Sequence, residues 1–135
     1  MRMSIAAVIL LSSAVAAAKP PPGEVRIASQ RATDDTSLSV SAVVTKINGS
    51  YMAGIKKCYQ KQLAKKADAA GDLSLSFAVG PNGKAVHPSA SGVDGVDNCV
   101  TRAMMGWAFT APKDKEKKPA TAHFELELKL SPGAT

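Results

Sequence analysis

"TAHFELELKL", residues 121 to 130, alternates without a break. Ala122, Phe124, Leu126, Leu128 and Leu130 fall on one side, and His123, Glu125, Glu127 and Lys129 on the other. Side chains of a strand point to opposite faces with period two, so this stretch requires one dry face and one wet face. "DLSLSFAV", 72 to 79, repeats the pattern, with Leu73, Leu75, Phe77 and Val79 against Ser74, Ser76 and Ala78. "GPNGK" follows as a turn, because Pro81, Asn82 and Gly83 each suit one. "AVHPSAS", 85 to 91, returns as the second arm of a hairpin. Pro88 has no N–H to give a ladder, so this arm belongs at a sheet edge or carries a bulge. Three strands with one dry face need a cover, and the rest of the chain supplies helices.

From Leu38 the apolar period lengthens. Val40, Val44, Ile47, Tyr51, Ile55 and Cys58 recur every three or four residues, the spacing of one helix face. Lys46, Lys56, Lys57, Gln60 and Lys61 lie largely off that stripe. The reading is one long helix, capped by Asp35 or Thr36, with a kink at Asn48-Gly49-Ser50, where glycine is unfavourable inside a helix. That triplet is also a glycosylation sequon, read here as a chance match. Gly71 is the expected stop. In "GVDGVDNCVTRAMMGWAF", Asp94 or Asp97 would cap a second helix, striped by Val96, Val100, Ala103, Met104 and Trp107 with Cys99 beside them. Trp107 and Phe124 read as core residues. The fold class is α+β: two helices packed on one face of a small three-stranded antiparallel sheet, with "EVRIAS", 24 to 29, as a possible extra N-terminal strand.

The start, "MRMSIAAVILLSSAVAAAKP", has a positive Arg2, an apolar run from Ile5 to Leu11, and small residues ending at Ala16-Ala17-Ala18. This is the layout of a signal peptide spanning 1–18, with an uncleaved anchor as the alternative. The run is short of the roughly 20 apolar residues of a good membrane span. Residues 19–37 then form a spacer and short N-terminal segment, and 38–131 the domain. The expectation is a periplasmic or secreted protein with no membrane span after cleavage. Aromatic residues are only 4% of the 135, so the core must rest on aliphatic side chains and a covalent staple would help it.

An exported chain with two cysteines reads as disulfide-bonded. Cys58 and Cys99 lie on the inward sides of the two helices, and a bridge across that loop is worth about 4 kcal/mol in the chain-entropy model. The rival, a reactive thiol, wants a C-x-x-C pair or a neighbouring histidine base, and the sequence has neither. His87 and His123 are the two histidines, without a third ligand clustered near them, so no metal site is expected. Phosphate-loop, nucleophile-elbow and zinc-protease motifs are absent, and no cofactor and no enzymatic activity are expected. The net charge of +6 is concentrated in part in "PKDKEKKP", 112 to 119, which reads as a solvated loop. Nucleic acid is not an expected partner; anionic envelope polymers or lipid headgroups fit the charge without specificity.

"KKCYQKQL", "GDLSLSFAVGPNGKAV", "VDNCVTRAMMGWAF" and "AHFELEL" together resemble the TonB-like C-terminal domain, in the AgmX/PglI C-terminal type of myxobacterial proteins linked to gliding motility. The resemblance covers about residues 38 to 131. It departs after Trp107-Ala108-Phe109, where the usual proline-rich continuation keeps only Pro112. It implies a periplasmic protein-binding or adaptor module that takes an extended peptide of an envelope partner onto a sheet edge. With Pro88 closing one side, the expected binding edge is the last strand, through Thr121, His123, Glu125, Glu127 and Lys129. The alternatives are an accessory envelope protein that binds no strand and a thiol-dependent enzyme. "EVRIAS" folding back onto the last strand would remove that edge.

Overall fold

A computed structural model describes residues 23–133. The expected signal peptide and residues 19–22 lie outside the described residues. The chain folds as an α+β sandwich in the order β1 (Glu24–Ala32), α1 (Val40–Lys46), a π-helical turn (Ile47–Tyr51), α2 (Met52–Lys65), β2 (Gly71–Val79), β3 (Ala85–Ser91), α3 (Asp97–Met104) and β4 (Ala122–Ser131). The sheet is four-stranded, ordered β1-β4-β2-β3, and every neighbouring pair is antiparallel. Among the described residues, no helix is long and apolar enough to cross a membrane.

β2 and β4 form the centre, in unbroken register from Gly71↔Leu130 to Val79↔Ala122. Their leucines and phenylalanines are buried, as the alternation requires. The hairpin partner β3 does lie at an edge, and it also bulges. Ser76 pairs with Ser89 and Ala78 with Val86, so His87 and Pro88 together oppose Phe77. His87 takes a positive φ of 53° there. Gly83 closes the hairpin turn at φ 84°, and a side chain on it would strike the carbonyl of Phe109.

The helical stretch 40–65 has no break, but its inward stripe differs from the expected one. Val43, Ile47, Met52, Ile55, Tyr59 and Leu63 are buried with Cys58, while Val40, Val44 and Tyr51 are only partly so. Ile47 and Met52 are five residues apart, and the π turn between them takes in the extra residue. Asn48, Gly49 and Ser50 face solvent on that turn, so the kink expected there is a local widening of the helix. Ser39 caps the N-terminus, accepting from the Ala42 amide, in place of Asp35 or Thr36. The helix stops at Lys65 rather than near Gly71, which opens β2 instead.

α3 is shorter than its apolar stripe. It ends at Met104, and Trp107 lies beyond it on an extended segment. Phe77, Trp107, Phe109, Tyr51 and Phe124 form one aromatic cluster. Tyr51 stacks on Trp107 at 5.0 Å, and Phe77 meets Phe109 and Phe124 at 5.6 and 5.7 Å. Trp107 is 3% exposed and Phe124 is fully buried, so both are core residues as expected. At the other end, Tyr59 is buried and donates its hydroxyl to the Ala69 carbonyl. Burial pushes this phenol above its ordinary value.

Candidate functional site

The last strand is not an edge. β4 is paired on both sides, with β2 over Ala122 to Leu130 and with β1 over Phe124 to Ser131. Its backbone has no row of groups left for a partner, and the expected binding edge of Thr121, His123, Glu125, Glu127 and Lys129 is corrected accordingly. These side chains do line the outer, helix-free face of the sheet, where His123, Glu125 and Lys129 are exposed and Glu127 is half-buried. Two of them, Glu125 and His123, have local partners. Arg31 on β1 forms an ion pair with Glu125, the residue directly across from it. Asp34, just past β1, accepts from the His123 amide at 2.7 Å, and its carboxylate lies 2.6 Å from His123 Nδ1. The hydrogen bond from the His123 side chain is the main cause that holds the Asp34 carboxyl below its ordinary range. Charges that look like protection for an edge are therefore cross-strand pairs that help seat β1.

The sequence marks a possible strand only over 24–29, and the observed β1 is longer. The strand runs to Ala32 because its register shifts once, between Ile27 and Ser29, and Ala28 is left unpaired. The shift throws the apolar alternation out of phase, so "ASQRA" carries no strand signal of its own.

The two true edges are β1 and β3, and β3 is closed. The Ala85 amide donates to the Trp107 carbonyl at 3.0 Å, and the Phe109 amide to the Gly83 carbonyl at 2.7 Å. Further along, the Ala90 amide donates to Thr101 Oγ1 of α3 at 3.1 Å. Pro88 has no amide to offer. The Trp107–Phe109 segment is held in turn by Tyr51, whose hydroxyl donates to the Ala108 carbonyl and accepts from the Ala108 amide, each at 2.9 Å. The disulfide Cys58–Cys99, with Cα atoms 5.7 Å apart, ties α3 to α2 and so keeps Thr101 over β3. Both cysteines of the chain are used in it.

β1 is open. The Thr33 amide donates to the His123 carbonyl, so odd-numbered residues of β4 turn their backbone groups toward β1. Arg31 and Ser29 oppose Glu125 and Glu127, which turns the amides of Val25, Gln30 and Ala32 outward. Among the described residues these three amides have no hydrogen-bond partner. Val25 and Ala32 bring small apolar side chains to the rim of the core, and Gln30 is exposed beside them.

The outer sheet face carries a shallow trough of about 580 Å³, walled by Ser29, Ser74, Ser76, Arg31, Glu125 and Glu127. Arg31 and Glu125 satisfy each other, and no histidine stands beside these serines to activate one. Among the described residues no three His, Cys, Asp or Glu side chains are grouped to hold a metal ion. His87 sits at the β3 bulge, separated from His123 by β2. What the surface offers chemically is backbone pairing at β1. No family model, curated protein or solved structure matches the chain.

Proposed function

We propose that this chain is an exported adaptor module of the cell envelope, periplasmic or secreted and TonB-like in build, which captures an extended segment of a partner protein as a fifth strand on β1. The observation that carries this reading is the contrast in satisfaction: the amides of Val25, Gln30 and Ala32 have no partner among the described residues, while the β3 edge is occupied at Ala85 and Ala90. Backbone pairing would supply affinity, and the side chains beside Val25 and Ala32 would select an apolar residue at alternate positions of the guest. The resemblance of 38–131 to TonB-like domains supports the same mode of binding. The reading is non-enzymatic and involves no cofactor.

A second reading, an accessory envelope protein that takes no strand, is favoured by the unpaired Ala28 and by Arg26 and Arg31, since bulges and charges blunt an edge. Gln30→Pro separates the two. Proline is tolerated on an edge strand where the lost amide faces outward. Photo-crosslinking from Ala32 in envelope preparations should trap a partner with the unaltered chain and lose it with Gln30→Pro, at an unchanged melting temperature. Capture that survives the proline rejects strand addition on this edge.

A further inference from the structure

The helical stretch α1–α2 carries one sign of charge. From Val40 to Lys66 the chain has Lys46, Lys56, Lys57, Lys61, Lys65 and Lys66 and no aspartate or glutamate. All six lysines are exposed, and among the described residues none forms an ion pair. Lys57, Lys61 and Lys65 succeed one another at four-residue spacing along the outer side of α2. Like charges at that spacing repel and weaken a helix, where a single glutamate would relieve them. The arrangement therefore works against local stability. By contrast, the lysines of the 112–119 loop are interleaved with acids, and Lys115 and Lys118 pair with Asp35 and Glu116.

We infer that the outer side of α2 is a docking surface for a membrane bearing anionic phospholipids. The stripe from Lys57 to Lys65 extends about 12 Å, too long for one phosphate and suited to several headgroups in a plane. Beside these lysines on the outer side of α2 stand Ala53, Gly54, Gln60 and Ala64, all exposed. Among the described residues, no atom lies within 4 Å of the space above Gly54. None of the residues along the stripe is aromatic, so it has no ring on which a nucleic-acid base could stack. The apolar side of α2 is committed to the core, so the contact is electrostatic, peripheral and reversible. The helix side would rest on the membrane and leave the outer sheet face turned away from it. This goes beyond strand capture and uses a different surface.

The test is co-sedimentation of the full chain with vesicles of phosphatidylcholine containing phosphatidylglycerol. Pure phosphatidylcholine vesicles measure any uptake by the apolar run 5–11, which is indifferent to headgroup charge. Binding should require the anionic lipid and fall steeply as salt is raised. The triple variant Lys57→Gln, Lys61→Gln, Lys65→Gln keeps helix propensity and should weaken binding on the order of 100-fold, since each lysine near such a surface is worth roughly fivefold. Lys113→Gln, Lys117→Gln, Lys118→Gln removes the same charge from the loop and should change it only a few-fold. Equal weakening by the two triples, equal binding to neutral vesicles, or tighter binding of a DNA duplex than of the anionic vesicles would each overturn the assignment. Circular dichroism of both variants verifies that helix content is kept.

Discussion

The two edges of the sheet end in opposite ways, although both are polar at a glance. At β3 the outward amides of Ala85 and Ala90 are taken up by Trp107 and Thr101, and the elements that do this are anchored by an aromatic stack and a disulfide. At β1 the outward amides of Val25, Gln30 and Ala32 meet nothing else described, and the hydrogen bonds and ion pairs that hold the strand come from its inner side, through β4, Arg31–Glu125 and Asp34–His123. An edge is thus not made safe by its own residues alone. β3 is closed by segments that come from elsewhere in the chain, and β1 keeps its bonding capacity because no other described segment reaches its outer side.

The comparison breaks most severely at Trp107. Trp107→Ala should cost about 3–5 kcal/mol in denaturant unfolding, because the ring is nearly fully packed between Tyr51 and Phe77. It should also speed exchange of the Ala85 amide, since the carbonyl that accepts from it loses its anchor. Tryptophan emission like that of the free amino acid in the folded, unaltered chain would contradict this. Next comes the disulfide. Removing it through Cys58→Ser with Cys99→Ser should lower stability by about 2–4 kcal/mol, seen as a lower melting temperature. An unchanged melting curve would deny the bond a structural role.

Thr101→Val is a finer cut. It deletes the acceptor of the Ala90 amide at nearly constant volume and should cost about 1 kcal/mol, with faster exchange at Ala90 and no loss at Val25. The smallest effect belongs to the open side. The Asp34 carboxyl is depressed in the folded state, so its contribution is complete above the ordinary value of 3.8 and is lost as pH falls through the lower folded value. Both side chains are largely exposed, and the effect should stay below about 1 kcal/mol. Stability curves of the unaltered chain and Asp34→Asn should therefore separate near neutral pH and converge in that acid window. Curves that stay parallel below it would deny the Asp34–His123 pair this role.

Most of the layered plan was legible from residues. Alternation at 72–79 and 121–130, the turn at 80–84, and the apolar stripes around Cys58 and Cys99 each report a local period, and the elements follow them. Pro88 announced an edge or a bulge, and both are present. The errors have local causes too. Asp35, Thr36 and Ser39 all satisfy the chemistry of a helix cap, and only the path of the chain selects Ser39. Trp107 keeps the helical spacing of its stripe, yet the chain turns at Met105-Gly106 and delivers it from an extended segment.

Sequence alone determined the alternating dry face of β2 and β4, two helical segments to cover it, and a pair of cysteines on their inward sides. These depend on side-chain chemistry repeating along a few neighbouring residues. Tertiary structure decided which strand would be the last one. The alternation of 121–130 is the same whether its outer flank is open or paired, because the pattern reports faces, and an edge concerns backbone groups that every residue shares. β1 claims that flank through a register that skips Ala28, matching Arg31 to Glu125 across 94 positions of chain. Nothing short-range encodes that meeting, and with it the free edge moved from β4 to β1.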